Sequence, residues 1–384
     1  MTHHPPAAAA EQIGTHSYMN HTSPAATPPA VTLSPVVAAP TAVAAALHPG
    51  DTVLVTGAAG GIGRVVVPAL ADAGYRVVAT DRAPFDAPAA DAVLVGDSRD
   101  PAFVGSALRA GGGPGASAVD GVVHLAAIAS PGQVPDDQTF TQNVQGTFCV
   151  LDGAGRAGVR VAVAASSFSA YGYPWAGRHL SPAYVPIDEA QDPVAVDAYA
   201  LSKLAGEQVG AYTTRRYGMP ATLLRLPFVG TGDRLREAVD RTHRDPAASR
   251  QELWTWLDTR DAAGVVRAVL GSGVTGYHVV NVAAPDTTSD VPTAELLARY
   301  HPASRVTRPL EAFASVIDTT AVRELFGFDP VHSWRTGDAL DPSVTALAEG
   351  ARLTRRPRYV PAPGGPARPG EFQPVRSRQS EQRC

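Results

Sequence analysis

Between about residue 50 and residue 300 the chain alternates two patterns. Short runs that are apolar at nearly every position are separated by longer stretches in which apolar residues recur at helical spacing. The short runs are TVLVT (52–56), RVVAT (76–80), AVLVG (92–96), GVVHLAA (121–127), RVAVAAS (160–166) and ATLLRLP (221–227). Helices are predicted between them, over 62–73, 138–157 and 197–217. Strands that lack polar alternation belong in a sheet covered on both faces. Regular strand-helix-strand order with that property predicts an α/β fold built on a doubly wound parallel sheet. Further on, LWTWLD (253–258) and YHVVNV (277–282) read as strands, and 261–270 and 293–300 as helices. These predict a smaller C-terminal lobe.

The flanks differ. Residues 1–49 are mostly Ala, Pro, Thr, Ser and His without apolar periodicity, and 352–384 are Pro, Gly, Arg and polar residues. Both offer too little apolar surface to offset ordering entropy, so a disordered Ala/Pro-rich leader and a disordered tail are expected. His3, His4, His16 and His21 read as part of that polar leader rather than as metal ligands. The sheet core is expected over 50–230, and a lobe carrying the final strands over 231–345. At about 150 residues per domain, 384 residues allow two domains or one large one with tails.

Composition narrows the function. A net charge of −4 with 18% charged residues leaves no basic stripe for nucleic acid. Cys149 and Cys384 are too few for a disulfide framework or a multi-cysteine metal site. No apolar run of about twenty residues reads as a membrane span, and no Lys or Arg precedes Arg64, so a cytoplasmic protein without a leader peptide is expected. Of the 32 basic residues only Lys203 is a lysine. Surface charge tolerates exchange of Lys for Arg, but a site needing a compact ammonium does not.

The first strand runs into Thr56-Gly57-Ala58-Ala59-Gly60-Gly61-Ile62-Gly63. Glycines at 57, 60 and 63 let the backbone turn tightly at a strand-to-helix junction and approach a pyrophosphate, which the helix N-terminus attracts. In that context the motif marks a dinucleotide site. The second strand ends at Asp81, 18 residues after Gly63, where a carboxylate can accept both hydroxyl hydrogens of a ribose and repel a 2′-phosphate. NAD is therefore expected over NADP, although Arg82 beside it could welcome that phosphate or be a solvated loop charge. Asp97 either hydrogen-bonds the adenine amino group or caps a turn.

Tyr199 and Lys203 lie four residues apart in a predicted helix, which puts phenol and ammonium on one face. A free tyrosine titrates near about 10, and making it a base at neutral pH takes about 4 kcal/mol. One cation at about 4 Å with an effective dielectric near 20 supplies roughly that much. Ser166-Ser167-Phe168-Ser169-Ala170-Tyr171-Gly172 follows the strand before this helix, at the carboxyl edge of the sheet where ligands bind. Ser167 is positioned to hold a substrate oxygen while Tyr199 moves its proton; the alternative is a serine-rich turn satisfying its own backbone.

With these residues in order, the chain resembles the extended branch of the short-chain dehydrogenase/reductase superfamily, the NAD-dependent epimerase/dehydratase family, which has a Rossmann core. The matching pieces are TGAAGGIG (56–63), Asp81, Gly96-Asp97, His124-Leu125-Ala126-Ala127, Asn143, SSFSAYG (166–172), YALSK (199–203) and Leu224-Arg225. The resemblance implies catalysis by Ser167, Tyr199 and Lys203, NAD along the sheet edge beside His124, Leu125, Ala126 and Ala127, and support of the site by Asn143. It also implies a homodimer formed through two long helices, one of them 197–217.

Departures from the family pattern select among reactions. Dehydratases of the family carry Asp-Glu where this chain has Phe168 and Ser169, so dehydration is disfavoured. Sugar-nucleotide epimerases carry an Asn near the position of Phe228, followed by a longer segment embracing the nucleotide. The shorter layout here is similar to uronate dehydrogenases, and Arg250 is then the nearest candidate for a substrate carboxylate, with Arg234, Arg236 and Arg244 as rivals. Ser130 is a candidate hydroxyl contact; Asp258 and Asp261 read as helix caps. The reading is an NAD-dependent oxidoreductase acting on a sugar or sugar acid. A sugar-nucleotide 4-epimerase with tightly held NAD and an inactive dinucleotide sensor are the alternatives.

Overall fold

The computed structural model describes residue 1, residues 46–110, residues 119–340 and residues 358–359. The expected leader and tail otherwise lie outside the described residues, as do His3, His4, His16 and His21. Residues 46–49 of the expected leader are described. Leu47 is buried, and its N–H donates to the Leu270 carbonyl, so the last residues before the first strand already pack on the core.

In chain order the elements are β1 (Thr52–Thr56), α1 (Gly63–Asp72), β2 (Arg76–Asp81), β3 (Ala92–Val95), α2 (Pro101–Arg109), β4 (Gly121–His124), α3 (Asp136–Arg156), β5 (Val161–Ser167), β6 (Tyr184–Val185), α4 (Ala198–Tyr217), β7 (Ala221–Leu226) and β8 (Phe228–Val229). They continue with α5 (Gly232–Arg244), β9 (Trp256–Leu257), α6 (Thr259–Ser272), β10 (Tyr277–Asn281), α7 (Thr293–Tyr300), β11 (Arg305–Val306), α8 (Thr320–Phe326) and β12 (Arg358–Tyr359).

The main sheet is parallel throughout, in the order β10-β7-β5-β4-β1-β2-β3-β12. Chain order reverses between β1 and β4, and at such a switch point the carboxyl edge opens a crevice. One face of the sheet buries Val53, Val55, Val77 and Val123 against α1 and α6; the other buries Leu54, Val78, Leu94 and Val122 against α2 and α3. Successive residues of β1 thus point into two different cores, which is why the strand is apolar at every position rather than at alternate ones.

The strands beyond β7 are shorter than the pattern predicts. LWTWLD yields only Trp256–Leu257, paired with Phe228–Val229, because Leu253 and Trp254 adopt left-handed backbone at φ 53° and 57°. Their side chains are almost fully buried, so packing overrides the strand preference of the sequence. GVVHLAA likewise ends as a strand at His124, and the backbone of Leu125 and Ala126 lies against Gly57 in the loop that follows β1. Among the described residues no helix is long and apolar enough to cross a membrane.

Candidate active site

The loop from Gly57 to Ile62 lies at the crevice. Gly57 has φ +70°, and a Cβ there would stand 2.6 Å from the Ala126 nitrogen; a Cβ on Gly63 would stand 2.3 Å from the Gly57 carbonyl oxygen. The loop is therefore folded onto itself and onto the end of β4 at distances that exclude any side chain. Gly61 faces open space instead, with nothing within 4 Å of an added Cβ. Helix α1 has no side-chain cap and no acidic residue in its first turn. Among the described residues no acceptor pairs with the N–H groups of Gly61 and Ile62. Open amides at a helix start with no competing carboxylate fit a pyrophosphate.

A cavity of about 930 Å³ runs from this loop along the sheet edge. Gly57, Gly60, Gly61, Ile62, Gly63, Asp81, Arg82, Asp97, Leu125, Ala126, Ala127 and Asn143 all line it. Asp81 accepts the N–H groups of Ala59 and Arg82, 3.0 and 2.8 Å away, which holds the carboxylate at the end of β2. Arg82 is exposed. Asp97 is clamped by the Arg99 guanidinium, Nε 2.9 Å from each carboxylate oxygen, and this pairing keeps its carboxyl below the usual range. The Asn143 amide accepts from the Ile128 N–H and donates to the Ile128 carbonyl and the Ser202 hydroxyl, tying α3 to α4 and to the loop after β4. His124 does not reach the cavity. Its ring is buried between the Thr56 and Thr147 hydroxyls, and burial lowers its pKa to about 3, so it is a neutral part of the sheet.

Ser167, Tyr199 and Lys203 line the same cavity. Asp197, two residues before Tyr199, caps α4 by accepting the Ala200 N–H at 2.8 Å. Ser167 ends β5 and its hydroxyl accepts the Ser169 N–H at 3.1 Å. The Lys203 ammonium donates to the Ala165 carbonyl at 2.9 Å and lies 5.7 Å from the centroid of the Tyr199 ring. Burial dominates the phenol and holds it above its ordinary range, with the neighbouring Ser167 hydroxyl pulling the other way. Burial also lowers Lys203, to about 8.

A buried ionic network behind these groups escapes motif reading. Glu207 lies one helical turn beyond Lys203 and accepts from the Arg225 guanidinium at 2.9 and 2.8 Å and from the Ser166 hydroxyl at 2.6 Å. Arg225 also covers the Tyr171 ring, 4.7 Å from its centroid, and the Tyr171 hydroxyl donates to Asn281 on β10. Tyr199, Lys203 and Glu207 repeat every fourth residue, and that spacing was the available signal.

At the other end of the cavity Ser130, Phe168, Ser169 and Phe228 form part of the wall. Ser130 accepts from the Gln133 amide, and Ser169 accepts from the Trp175 indole at 3.2 Å. Phe168 is buried against Tyr171 and Tyr173, whereas Phe228 carries the Arg234 guanidinium 4.9 Å above its ring. Arg250 is not on the wall: its guanidinium is turned to the Ala247 carbonyl at 2.8 Å, and its own carbonyl accepts from His301. Arg236 is spent on the Leu340 carbonyl. Arg234, Arg241, Glu252 and Thr255 line the cavity instead. Asp258 caps α6 and pairs with Arg260, while Asp261 holds His332.

Comparison with known proteins gives a consistent result. The model of the NAD dependent epimerase/dehydratase family matches residues 53–283. The chain is 33% identical over 174 residues to a UDP-glucose 4-epimerase of Streptomyces lividans, covering 44% of this chain and 49% of that protein, so it spans about half that relative's length. It is 30% identical over 226 residues to an L-arabinose 1-dehydrogenase (NAD(P)(+)) of Haloferax volcanii, covering 57% of this chain and 83% of that protein. Among solved structures, a short-chain dehydrogenase/reductase superfamily protein from Agrobacterium tumefaciens with bound NAD superposes at a TM-score of 0.57. It is 23% identical and covers 79% of this chain and all of that one. At that identity the likeness concerns the fold.

The lowered pKa of Lys203 has a consequence for stability. Between about 8 and its ordinary 10.5 the unfolded chain holds a proton that the folded chain has lost, so stability rises with pH across that window and the full penalty is present below it. Relative to Lys203→Met, the parent without cofactor is expected to gain stability between about pH 8 and pH 10. Thermal unfolding of both forms at the two pH values measures this; an equal change in both contradicts it.

Proposed function

Because the chain belongs to the NAD dependent epimerase/dehydratase family, we propose that it is an NAD-dependent oxidoreductase that exchanges hydride between nicotinamide and a hydroxyl or carbonyl of a sugar or sugar acid. The observation that carries this reading is the convergence of Ser167, Tyr199 and Lys203 on the same cavity wall system as the glycine loop. The residues that would hold NAD are Gly57, Gly60, Gly61, Ile62 and Gly63 at the pyrophosphate, Asp81 at the adenosine ribose and Lys203 at the nicotinamide ribose. When bound, NAD supplies the hydride acceptor.

The chain's own groups supply the rest. Ser167 donates to and orients the reacting oxygen. Tyr199 takes its proton, within proton-transfer reach of whatever Ser167 holds, and the phenol's buried setting keeps bulk water from competing. Lys203 contributes a positive charge on the same helix face, which favours the phenolate. Phe168 and Ser169 replace any acid-base pair at the positions after Ser167, so elimination of water lacks its proton carriers.

The likeness to UDP-glucose 4-epimerase supports a second reading, in which NAD stays bound and is reduced and reoxidised within one turnover. The dehydrogenase reading is favoured because the matched L-arabinose 1-dehydrogenase is covered over most of its length and the epimerase over half. We further infer a homodimer built on α3 and α4, since Phe148 and Leu201 stay 44% and 50% exposed on these two packed helices.

Incubation with a panel of aldoses and uronates should reduce NAD in preference to NADP, followed by the absorbance of reduced nicotinamide. Tyr199→Phe should lower kcat/KM by at least about 100-fold. Turnover of a sugar nucleotide without net reduction, by protein that copurifies with NAD, would select the epimerase instead. For the assembly, light scattering should report a dimer for the parent chain and a monomer for Phe148→Glu; equal masses contradict the α3–α4 interface.

A further inference from the structure

The cavity wall beyond Phe228 carries a carboxyl to which the reaction above gives no role. Glu252 lines the cavity together with Thr255. Among the described residues its carboxyl forms no ion pair and no hydrogen bond beyond its own backbone N–H, although the residue is partly buried. Burial holds that carboxyl above its ordinary range, with Arg241 and Arg250 opposing from a distance.

The backbone that presents Glu252 is strained and fixed. Leu253 and Trp254, the next two residues, both have positive φ, a conformation that costs about 1–3 kcal/mol per residue and persists only when its surroundings enforce it. The enforcement is visible. The Trp254 indole donates to the Pro246 carbonyl at 2.8 Å, the Thr288 N–H donates to the Trp254 carbonyl at 2.9 Å, and the Thr255 hydroxyl closes the turn on the Glu252 carbonyl at 2.7 Å. Both strained side chains are buried to within 1%. The turn carries one acid to the cavity and leaves Arg250 behind it, facing Ala247.

We propose that Glu252 is a specificity-determining residue, accepting hydrogen bonds from the hydroxyls of an uncharged sugar and rejecting sugars that bear a carboxylate or a nucleotide diphosphate. The proposal rests on the oxidoreductase reading and narrows its substrate class. A carboxylate with no protein donor makes strong, charge-assisted bonds to ligand hydroxyls. A substrate lacking them leaves it unpaired in a closed site, and an anionic one adds like-charge repulsion. The two arginines on the same wall do not reverse this. Neither forms an ion pair with Glu252: Arg234 spends its Nε on the Val229 carbonyl and its face on Phe228, and Arg241 lies exposed on α5, where water screens its charge.

The test uses the full chain with NAD and matched probes: glucose against glucuronate, galactose against galacturonate, and UDP-glucose. The parent should favour the neutral sugar of each pair by at least about tenfold in kcat/KM. Glu252→Gln should lower kcat/KM for that sugar by about tenfold, mainly through KM, and shrink its preference over the uronate by a similar factor. Glu252→Asp should recover part of both. Unchanged NAD affinity and thermal midpoint establish that the variants are folded. A parent that prefers the uronate or UDP-glucose, or a Gln variant that scales both members of a pair equally, overturns the role of Glu252 and leaves the oxidoreductase reading standing. Absence of turnover across all probes overturns that reading, and this one with it.

Discussion

One ammonium ties the site together. Lys203 reaches from α4 to the carbonyl of Ala165 on β5, two residues before Ser167, and so fixes the helix that carries the phenol against the strand that carries the serine. Behind it the Glu207–Arg225 pair joins the same helix to β7, and Ser166 joins that pair to β5. A buried pair of this kind is weak evidence for stability, since desolvation of the charges offsets their attraction. Its consequence here is geometric. Ser167, Tyr199 and Lys203 sit on two elements, β5 and α4, that share two direct polar links, and groups held this way need little reorganisation when a ligand arrives.

Burial raises the Tyr199 phenol, and the Ser167 hydroxyl beside it pulls the other way. A base with a raised pKa is poorly matched to neutral pH. Under the proposed function, oxidised nicotinamide bound beside the phenol would add positive charge that favours the phenolate, so dinucleotide binding and activation of the base would be coupled.

Much of this was legible in the sequence because the constraints are local. The apolar strands, the glycines at a strand-to-helix turn and the four-residue spacing of Tyr199 and Lys203 each follow from short-range geometry, and the elements appear within a few residues of the predicted bounds. Asp97 shows the limit: its position was readable, but not Arg99, whose guanidinium clamps it from two residues away. The losses are nonlocal. Whether Arg250 or Glu252 meets the cavity depends on the left-handed turn at Leu253 and Trp254, and that turn depends on contacts with Pro246 and Thr288. Nothing in the hydrophobic pattern of LWTWLD distinguishes a strand from a buried, strained turn. His124 is a similar case, a polar residue in a matching motif whose ring is absorbed by two threonines of the core.

The proposed function requires Tyr199 to act as a base, and bound NAD would favour its phenolate over the buried phenol. Ultraviolet difference titration of phenolate, comparing the parent with Tyr199→Phe and each with and without NAD, measures it directly. One tyrosine, lost in the Phe variant, should titrate above the ordinary range in free protein and fall by at least about one pH unit, about 1.4 kcal/mol, when NAD is added. A Tyr199 titration that NAD leaves in place would contradict the account.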